Sequence, residues 1–375
     1  LMHYFEFATE DATLYEGEAT QSVNTGMDEI LEVRKDMNDT ASVINVSRFL
    51  IKFDLTFISQ SVVDGLIPSS ANGAKYYLNL YDAGSEGLPR THTLYAYPVS
   101  QSWSVGQGTF HDDPQTTEGC SWRFRTGETT ADQWVSGSNN TGGTWFSGSG
   151  YEASHSLTLD NVDVRMDVTD IIDKWLDSTI DNDGFIVKRN GWVGNLNSDL
   201  EEGNTTRYGN LKYFSRDTNT IYPPKLEVRW DDSNWSTGSL TALSGSQLDD
   251  IIVYFKNLRP EYKQNSKTKF RLNARERYPA KTYSTTAQGL VVKYLPSSSV
   301  FYEIKDSITE DVIVPYGTGS RVSCDREGHY FNLWLNGLQP ERMYEIGIKV
   351  QSGSATSETF QQNYYYDSWK FKIVR

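Results

Sequence analysis

Side chains that commonly carry catalysis are sparse and scattered in this chain. Its histidines show none of the H-x-x-x-H or H-E-x-x-H spacings of metal sites. Neither a G-x-S-x-G nucleophile turn nor a phosphate-binding Walker loop occurs. The triplet His111-Asp112-Asp113 carries metal-ligand atoms, but its polar surroundings next to Pro114 are more typical of a solvated loop. Acyl transfer, phosphoryl transfer and zinc chemistry therefore lack their usual residues.

Carboxylates are abundant, and glycoside hydrolysis needs only two well-placed acids. Calcium also favours clustered oxygen ligands, which Asp181, Asp183, Glu201 and Glu202 could supply. No full calcium-loop pattern is present, however, and turn formation and solubility explain these acids more simply. We therefore expect no enzymatic activity and no cofactor, with calcium at these four acids as the alternative.

Tryptophans offer a binding chemistry instead, because exposed aromatic rings stack on sugar rings. Most tryptophans in β-rich proteins are buried in the hydrophobic core, and we expect Trp175 to be one of these. Trp145 and Trp192 lie in Gly- and Asn-rich stretches, and we expect them to be the exposed ones. They are the candidate glycan-binding residues.

Cations alternate with apolar residues in the segment Lys267–Arg277. On a strand, this spacing places Phe270, Leu272 and Ala274 on one face. The opposite face then carries Lys267, Lys269, Arg271, Arg275 and Arg277. Two interpretations are equally favoured: a charged strand that blocks edge-to-edge aggregation, or an assembly contact that docks on an acidic neighbour.

The sequence predicts that the segments that position these residues are mostly β-strands. Aromatic residues make up 13% of the chain, and short apolar runs separated by Gly, Ser, Thr and Asn predict an all-β protein. We predict two tandem β-sandwiches of jelly-roll or immunoglobulin-like type, over residues 1–232 and 248–375, joined by a linker at 233–247. A short helical insert is expected near 169–178, since Ile171, Ile172 and Trp175 share one helical face. Asn182-Asp183-Gly184 should then turn the chain into another strand.

Charge is distributed unevenly along the chain. Residues 1–244 hold 17 Lys and Arg against 35 Asp and Glu, whereas residues 245–375 hold 18 against 14. An acidic first half argues against nucleic acid as a partner, because phosphate contacts need a cationic surface. No apolar run is long enough to span a bilayer, and the N-terminus has no signal-peptide pattern. Cys120 and Cys324 fall in different predicted domains, so we expect free buried thiols.

A family resemblance rests on motifs in a fixed order. The run Ser47-Arg48-Phe49-Leu50-Ile51-Lys52-Phe53-Asp54-Leu55 is one, and the stretch at residues 162–189, which ends in Phe185-Ile186-Val187-Lys188-Arg189, is another. With a tryptophan-rich middle and a closing pair of strands, these motifs resemble the DNRLRE-type β-sandwich over about residues 8–232. The resemblance implies a module of secreted surface and carbohydrate-binding proteins. The chain departs from the family in the Gly/Ser/Asn-rich stretch 136–150 and in the acidic loop 192–206.

A second, shorter resemblance covers one corner of the C-terminal half. Leu338, Pro340 and Tyr344 match the L-x-P-x-x-x-Y corner of fibronectin type III-like sandwiches, in which the tyrosine hydroxyl ties a loop back to the sheet.

Three functions compete for this sequence. A non-catalytic structural protein of a tailed-phage virion (decoration, neck, tail or fibre) fits the β architecture, the missing export signal and the missing catalytic motifs. Its partners would be other virion proteins or copies of itself, and it would be made in the host cytoplasm. A carbohydrate-binding or adhesive module, located outside the cell or on its surface, fits the resemblance and would bind a host glycan. A glycan-cleaving enzyme is supported only by plentiful acids. We favour the first function and keep the second as the alternative.

Overall fold

The computed structural model describes residues 2–37, 44–89, 91–135, 142–158, 162–191, 201–243, 250–279, 283, 285–286, 289–352 and 360–375. The protein is mostly β, with 43% strand and 8% helix, which confirms the predicted β-rich class. The chain divides into two compact units. The N-terminal unit spans Glu6–Val228, and the C-terminal unit combines Leu1–Phe5 with Arg229–Arg375.

In the described residues of the N-terminal unit, there are ten strands and two α-helices. The strands are β1 (Met2–Tyr15, within this unit from Glu6), β2 (Ile30–Met37), β3 (Ile44–Phe53), β4 (Lys75–Leu80), β5 (Thr91–Pro98), β6 (Ala153–Thr158), β7 (Val164–Asp167), β8 (Phe185–Lys188), β9 (Gly209–Phe214) and β10 (Lys225–Trp230). The helices are α1 (Thr56–Val63) and α2 (Thr169–Leu176). The order β6-β5-β8-β3-β1-β10-β4-β7 forms a nearly closed antiparallel barrel, and β2 joins β3 to β9 beside it.

The segment from β7 to β8 follows the pattern predicted for it. In β7, Val164 and Met166 are buried while Arg165 and Asp167 are exposed. In α2, the side chains of Ile171, Ile172 and Trp175 are buried on one face. The predicted helical insert is thus confirmed.

The start of α2 is fixed by a local hydrogen bond. Thr169 is the first helical residue, and the carboxylate of Asp167 accepts its backbone N–H at 3.0 Å. The sequence did not predict α1, because Ile58 and Ser61 alone are buried there and no apolar stripe marks the helix.

The described part of the C-terminal unit contains twelve strands. They are β11 (Thr241–Ala242), β12 (Ile251–Lys256), β13 (Glu261–Lys263), β14 (Lys267–Glu276), β15 (Lys293–Tyr294), β16 (Val300–Asp306), β17 (Val312–Val314), β18 (Ser323–Asp325), β19 (Gly328–Trp334), β20 (Met343–Ser352), β21 (Gln361–Tyr365) and β22 (Lys370–Val374). One sheet has the order β11-β15-β14-β19-β18, with β12 also on β14. The other has the order β13-β22-β20-β16-β17, with β21 also on β20.

The predicted tyrosine corner lies at the start of β20. Tyr344 is 1% exposed, and its hydroxyl donates a hydrogen bond to the backbone carbonyl of Gln339 at 3.1 Å. The local interaction expected from the sequence motif is therefore present. Both cysteines are free and buried, also as predicted. Burial raises the pKa of the Cys324 thiol to about 11, so this thiol is an inert core group at neutral pH.

Candidate functional site

Strand β14 carries the predicted alternation of cations and apolar residues. Phe270, Leu272 and Ala274 are buried in the core of the C-terminal unit. Lys267 and Lys269 are exposed, while Arg271 and Arg275 are half-buried. Arg277 follows the last strand residue, Glu276, and is exposed in the connection beyond it.

β14 is paired with neighbouring strands along different parts of its length, so both sequence interpretations of its cations stay open. It pairs with β12 through residues Arg271–Glu276 and with β19 through Lys267–Leu272. In the described residues, Lys267 and Lys269 therefore have a paired strand on one side only, that of β19, whereas Arg271 is paired on both sides.

The pairing with β19 and β12 defines the surface around these cations. Residues directly opposite each other in antiparallel strands share a face. Three cations of β14 face residues of β19: Lys267 lies opposite Trp334, Lys269 opposite Asn332, and Arg271 opposite Tyr330. On its other side, Arg271 lies opposite Lys256 of β12. We call this surface the cationic face: Lys256, Lys267, Lys269, Arg271 and Arg275 with Tyr330, Asn332 and Trp334.

The cations of this face are held by aromatic rings and by acids. Lys267 Nζ lies 5.3 Å from the ring centroid of Trp334, and Lys269 Nζ lies 4.0 Å from that of Tyr330. Arg271 forms a two-pronged pair with Asp325, at 3.0 and 2.8 Å. Hydrogen bonds from Arg271 lower the pKa of Asp325. Arg271 is thus neutralised within the unit.

The exposed lysines remain the groups that can reach a partner. Lys256, Lys267 and Lys269 are all exposed, and the ammonium groups of Lys267 and Lys269 lie over aromatic rings. Such a surface fits an acidic protein surface, which steers association and sets register more than it adds affinity. The sequence reasoning missed Lys256, because only the register between β12 and β14 brings it beside Arg271.

Trp145 is half-buried rather than exposed, which corrects the expected glycan platform. The Arg48 guanidinium lies 5.1 Å from its ring centroid, and Lys188 Nζ lies 5.0 Å from it. Trp122 stacks on Arg48 as well, at 4.8 Å. Trp192 lies outside the described residues.

Trp145 belongs to a cluster of buried charges inside the N-terminal unit. Arg48 is fully buried and binds both carboxylate oxygens of Glu202, at 3.1 and 2.7 Å. Lys188 Nζ lies 3.3 Å from the same carboxylate, and Arg189 lies 3.5 Å from Glu201. We call Arg48, Lys188, Arg189, Glu201 and Glu202 the buried charge cluster.

The cluster engages two of the four acids considered for calcium. Glu201 and Glu202 are paired with cations. Asp181 and Asp183 lie in the turn before β8, where the indole N–H of Trp103 donates to the Asp183 backbone carbonyl at 2.7 Å. Within the described part of the chain, no three His, Cys, Asp or Glu side chains are grouped so that they could hold a metal ion.

Comparison with known proteins does not assign the chain to a family. No protein-family model matches the chain, and no curated protein matches it. The resemblance to the DNRLRE-type sandwich therefore remains a prediction. Of the helices in the described residues, neither is long and apolar enough to cross a membrane.

Proposed function

We propose that this chain is a non-catalytic structural protein of a tailed-phage virion, which acts through contacts between its cationic face and an acidic surface. The acidic surface would belong to another virion protein or to the N-terminal unit of a second copy. The observation that carries the proposal is the group of exposed lysines, Lys256 on β12 and Lys267 and Lys269 on β14. Because the pairing of β14 with β12 and β19 fixes the positions of these lysines, they form a preset pattern of charge.

The charge distribution of the chain supports a contact between copies. Residues 1–244 carry a net charge of −18 and residues 245–375 a net charge of +4. Opposite potentials on two parts of one chain favour head-to-tail association, which generates rings or open filaments. Both are common architectures of virion components.

The finer fold is part of the same proposal. We propose that the C-terminal unit, with its two sheets, is a fibronectin type III-like β-sandwich, and that the nearly closed barrel of the N-terminal unit is a variant of the DNRLRE-type β-sandwich. The Tyr344 corner supports the second assignment, because its hydroxyl reaches back to Gln339 as the motif requires.

The test replaces the exposed lysines and spares Arg271, because a carboxylate at position 271 would face Asp325 and Glu327. The variant Lys256→Glu, Lys267→Glu, Lys269→Glu should fold, since Phe270 and Leu272 still fill the core. Self-association of the purified chain, measured by sedimentation at low and high salt, should be lost in this variant, and high salt should weaken association of the parent chain. Incorporation of the variant into particles should fall in parallel.

A matched control makes the same charge change elsewhere in the C-terminal unit. Arg259, Lys263 and Lys370 are exposed and lie in or beside strands of the other sheet. Their replacement by Glu should leave association intact. Equal loss in both variants would indicate a nonspecific charge effect, and normal assembly of the first variant at both salt concentrations would refute the proposal.

A further inference from the structure

An open cleft of about 510 Å³ lies in the N-terminal unit, and none of the residues of the buried charge cluster lines it. It is bordered by the start of β2, the end of β1 and the loop that contains Phe110 and His111. Its volume lies within the range of roughly 300–1,000 Å³ that is typical of small-ligand sites. No other argument above uses this cleft.

One wall of the cleft is aromatic. The half-buried ring of Phe110 packs against Tyr15, with 4.7 Å between ring centroids, and the ring of His111 stands perpendicular to Phe110 at 5.1 Å. Tyr15 is buried and lines the cleft beside Phe110. An aromatic wall of this kind offers an apolar surface to the C–H face of a sugar ring.

The cleft also contains carboxylates that are fixed in place by hydrogen bonds. The hydroxyl of Tyr15 donates to one oxygen of Glu32 at 2.7 Å, and the side-chain amide of Asn210 donates to the other at 2.7 Å. Asp28 accepts the backbone N–H of Phe110 at 3.1 Å. Each carboxylate oxygen has more than one lone pair, so both side chains can accept further hydrogen bonds from hydroxyl groups.

Basic side chains at the cleft are already paired with acids. Arg34 lies 3.3 Å from Asp36, and Lys212 lies 2.6 Å from Glu86. Their remaining N–H groups are donors, so the cleft presents donors and acceptors together. Asp28, Glu29 and Glu32 give it a surplus of negative charge that repels acidic ligands.

We propose that this cleft binds an uncharged oligosaccharide, with a sugar ring on Phe110 and its hydroxyl groups donating to Asp28 and Glu32. A neutral, polyhydroxylated ligand uses all three features of the cleft, namely the aromatic wall, the fixed acceptors and the rim donors. A uronate or sulfated sugar would place its own anions beside three carboxylates. The proposal is independent of the cationic face, because that face belongs to the C-terminal unit.

The experiment titrates the full chain with cello-, malto- and chito-oligosaccharides and with an alginate oligomer, using calorimetry. At least one neutral oligosaccharide should bind, and alginate should bind more weakly or not at all. Phe110→Ala, Glu32→Gln and Asp28→Asn should each weaken binding about tenfold or more, the loss expected for one stacking contact or one charged hydrogen bond. Melting curves of each variant exclude misfolding as the cause.

Matched controls are available on helix α1. Phe57 is 40% exposed and Asp64 is exposed, and neither lines the cleft. Phe57→Ala and Asp64→Asn should bind like the parent chain, and so should the triple lysine variant of the cationic face. The proposal is wrong if no neutral oligosaccharide binds, if alginate binds equally well, or if the folded cleft variants bind normally.

Discussion

Replacement of Glu202 by Gln should destabilise the N-terminal unit more than replacement of its principal partner, Arg48. Glu202 is fully buried and contacts two cations, Arg48 at 2.7 Å and Lys188 at 3.3 Å. Glu202→Gln leaves both cations without their shared carboxylate. Arg48→Met removes one cation but leaves Glu202 paired with Lys188. The two replacements differ in their expected cost because the single carboxylate of Glu202 pairs with two cations.

The expected magnitudes follow from the cost of uncompensated buried charge. Loss of one partner of a buried pair typically costs about 3–5 kcal/mol, and we expect Glu202→Gln to fall in this range. Arg48→Met should cost about 1–3 kcal/mol, since the buried Glu202 keeps a partner and the main losses are hydrogen bonds, including the one from Arg48 to the Gly142 carbonyl at 2.7 Å. The double variant should cost less than the sum of the two single changes.

A pH series separates this explanation from a simple packing defect. Burial lowers the pKa of Lys188 to about 8, although Glu202 acts to raise it. Removal of the Glu202 charge should lower the pKa of Lys188 further. Because the unfolded chain then binds more protons than the folded one, stability of Glu202→Gln should rise with pH as the folded protein loses this proton. Arg48→Met should show a smaller rise, because Glu202 still holds Lys188 in its charged form.

The assay is urea unfolding of both single variants, the double variant and a surface control at several pH values. Glu86→Gln is the control, because it removes an acid from the solvent-exposed pair with Lys212. It should leave the free energy of unfolding nearly unchanged. If Glu202→Gln costs no more than this control, or less than Arg48→Met, the account of the cluster as a shared ion pair is refuted.

Two further predictions concern buried residues near the N-terminus. Burial raises the pKa of Asp11 to about 7, so the folded state binds more protons than the unfolded state and stability falls as pH rises from about 4 to 7. Asp11→Asn should match the parent chain near pH 4 and exceed it by up to roughly 4 kcal/mol at pH 8, and equal pH profiles in urea unfolding would contradict this. Phe5 is 5% exposed in the core of the C-terminal unit and packs against Gly337. Phe5→Ala should therefore destabilise that unit by about 3–5 kcal/mol in calorimetric melting, and an unchanged melt would show that residues before Glu6 do not belong to it.

Local patterns predicted local structure well in this chain. The period-2 and helical spacings at residues 162–189 identified β7, α2 and β8, since each pattern arises from residues that are neighbours in sequence. The contact between Tyr344 and Gln339 was also predictable, because only five residues separate them. The alternation in β14 likewise gave the correct buried face, Phe270, Leu272 and Ala274.

The candidate sites depend on pairings between distant residues, which a single sequence does not specify. Lys256 joins the cationic face only through the register of β12 on β14. Phe110 and Glu32 meet at the cleft although 78 positions separate them in the sequence. Trp145 was expected at the surface because its sequence neighbours are small and polar, yet it is covered by Arg48 and Lys188 from two other strands.

The buried charge cluster changes what the family resemblance can be used for. The resemblance rests in part on the motifs at residues 47–55 and 162–189, which contain Arg48, Lys188 and Arg189. These three cations are paired with Glu201 and Glu202. Both acids come from the loop in which the chain departs from the family pattern. Because these cations are buried and paired with acids inside the N-terminal unit, they are not available to an external ligand. The resemblance at these positions thus concerns core packing, and a glycan-binding function has to be argued from the cleft at Phe110 instead.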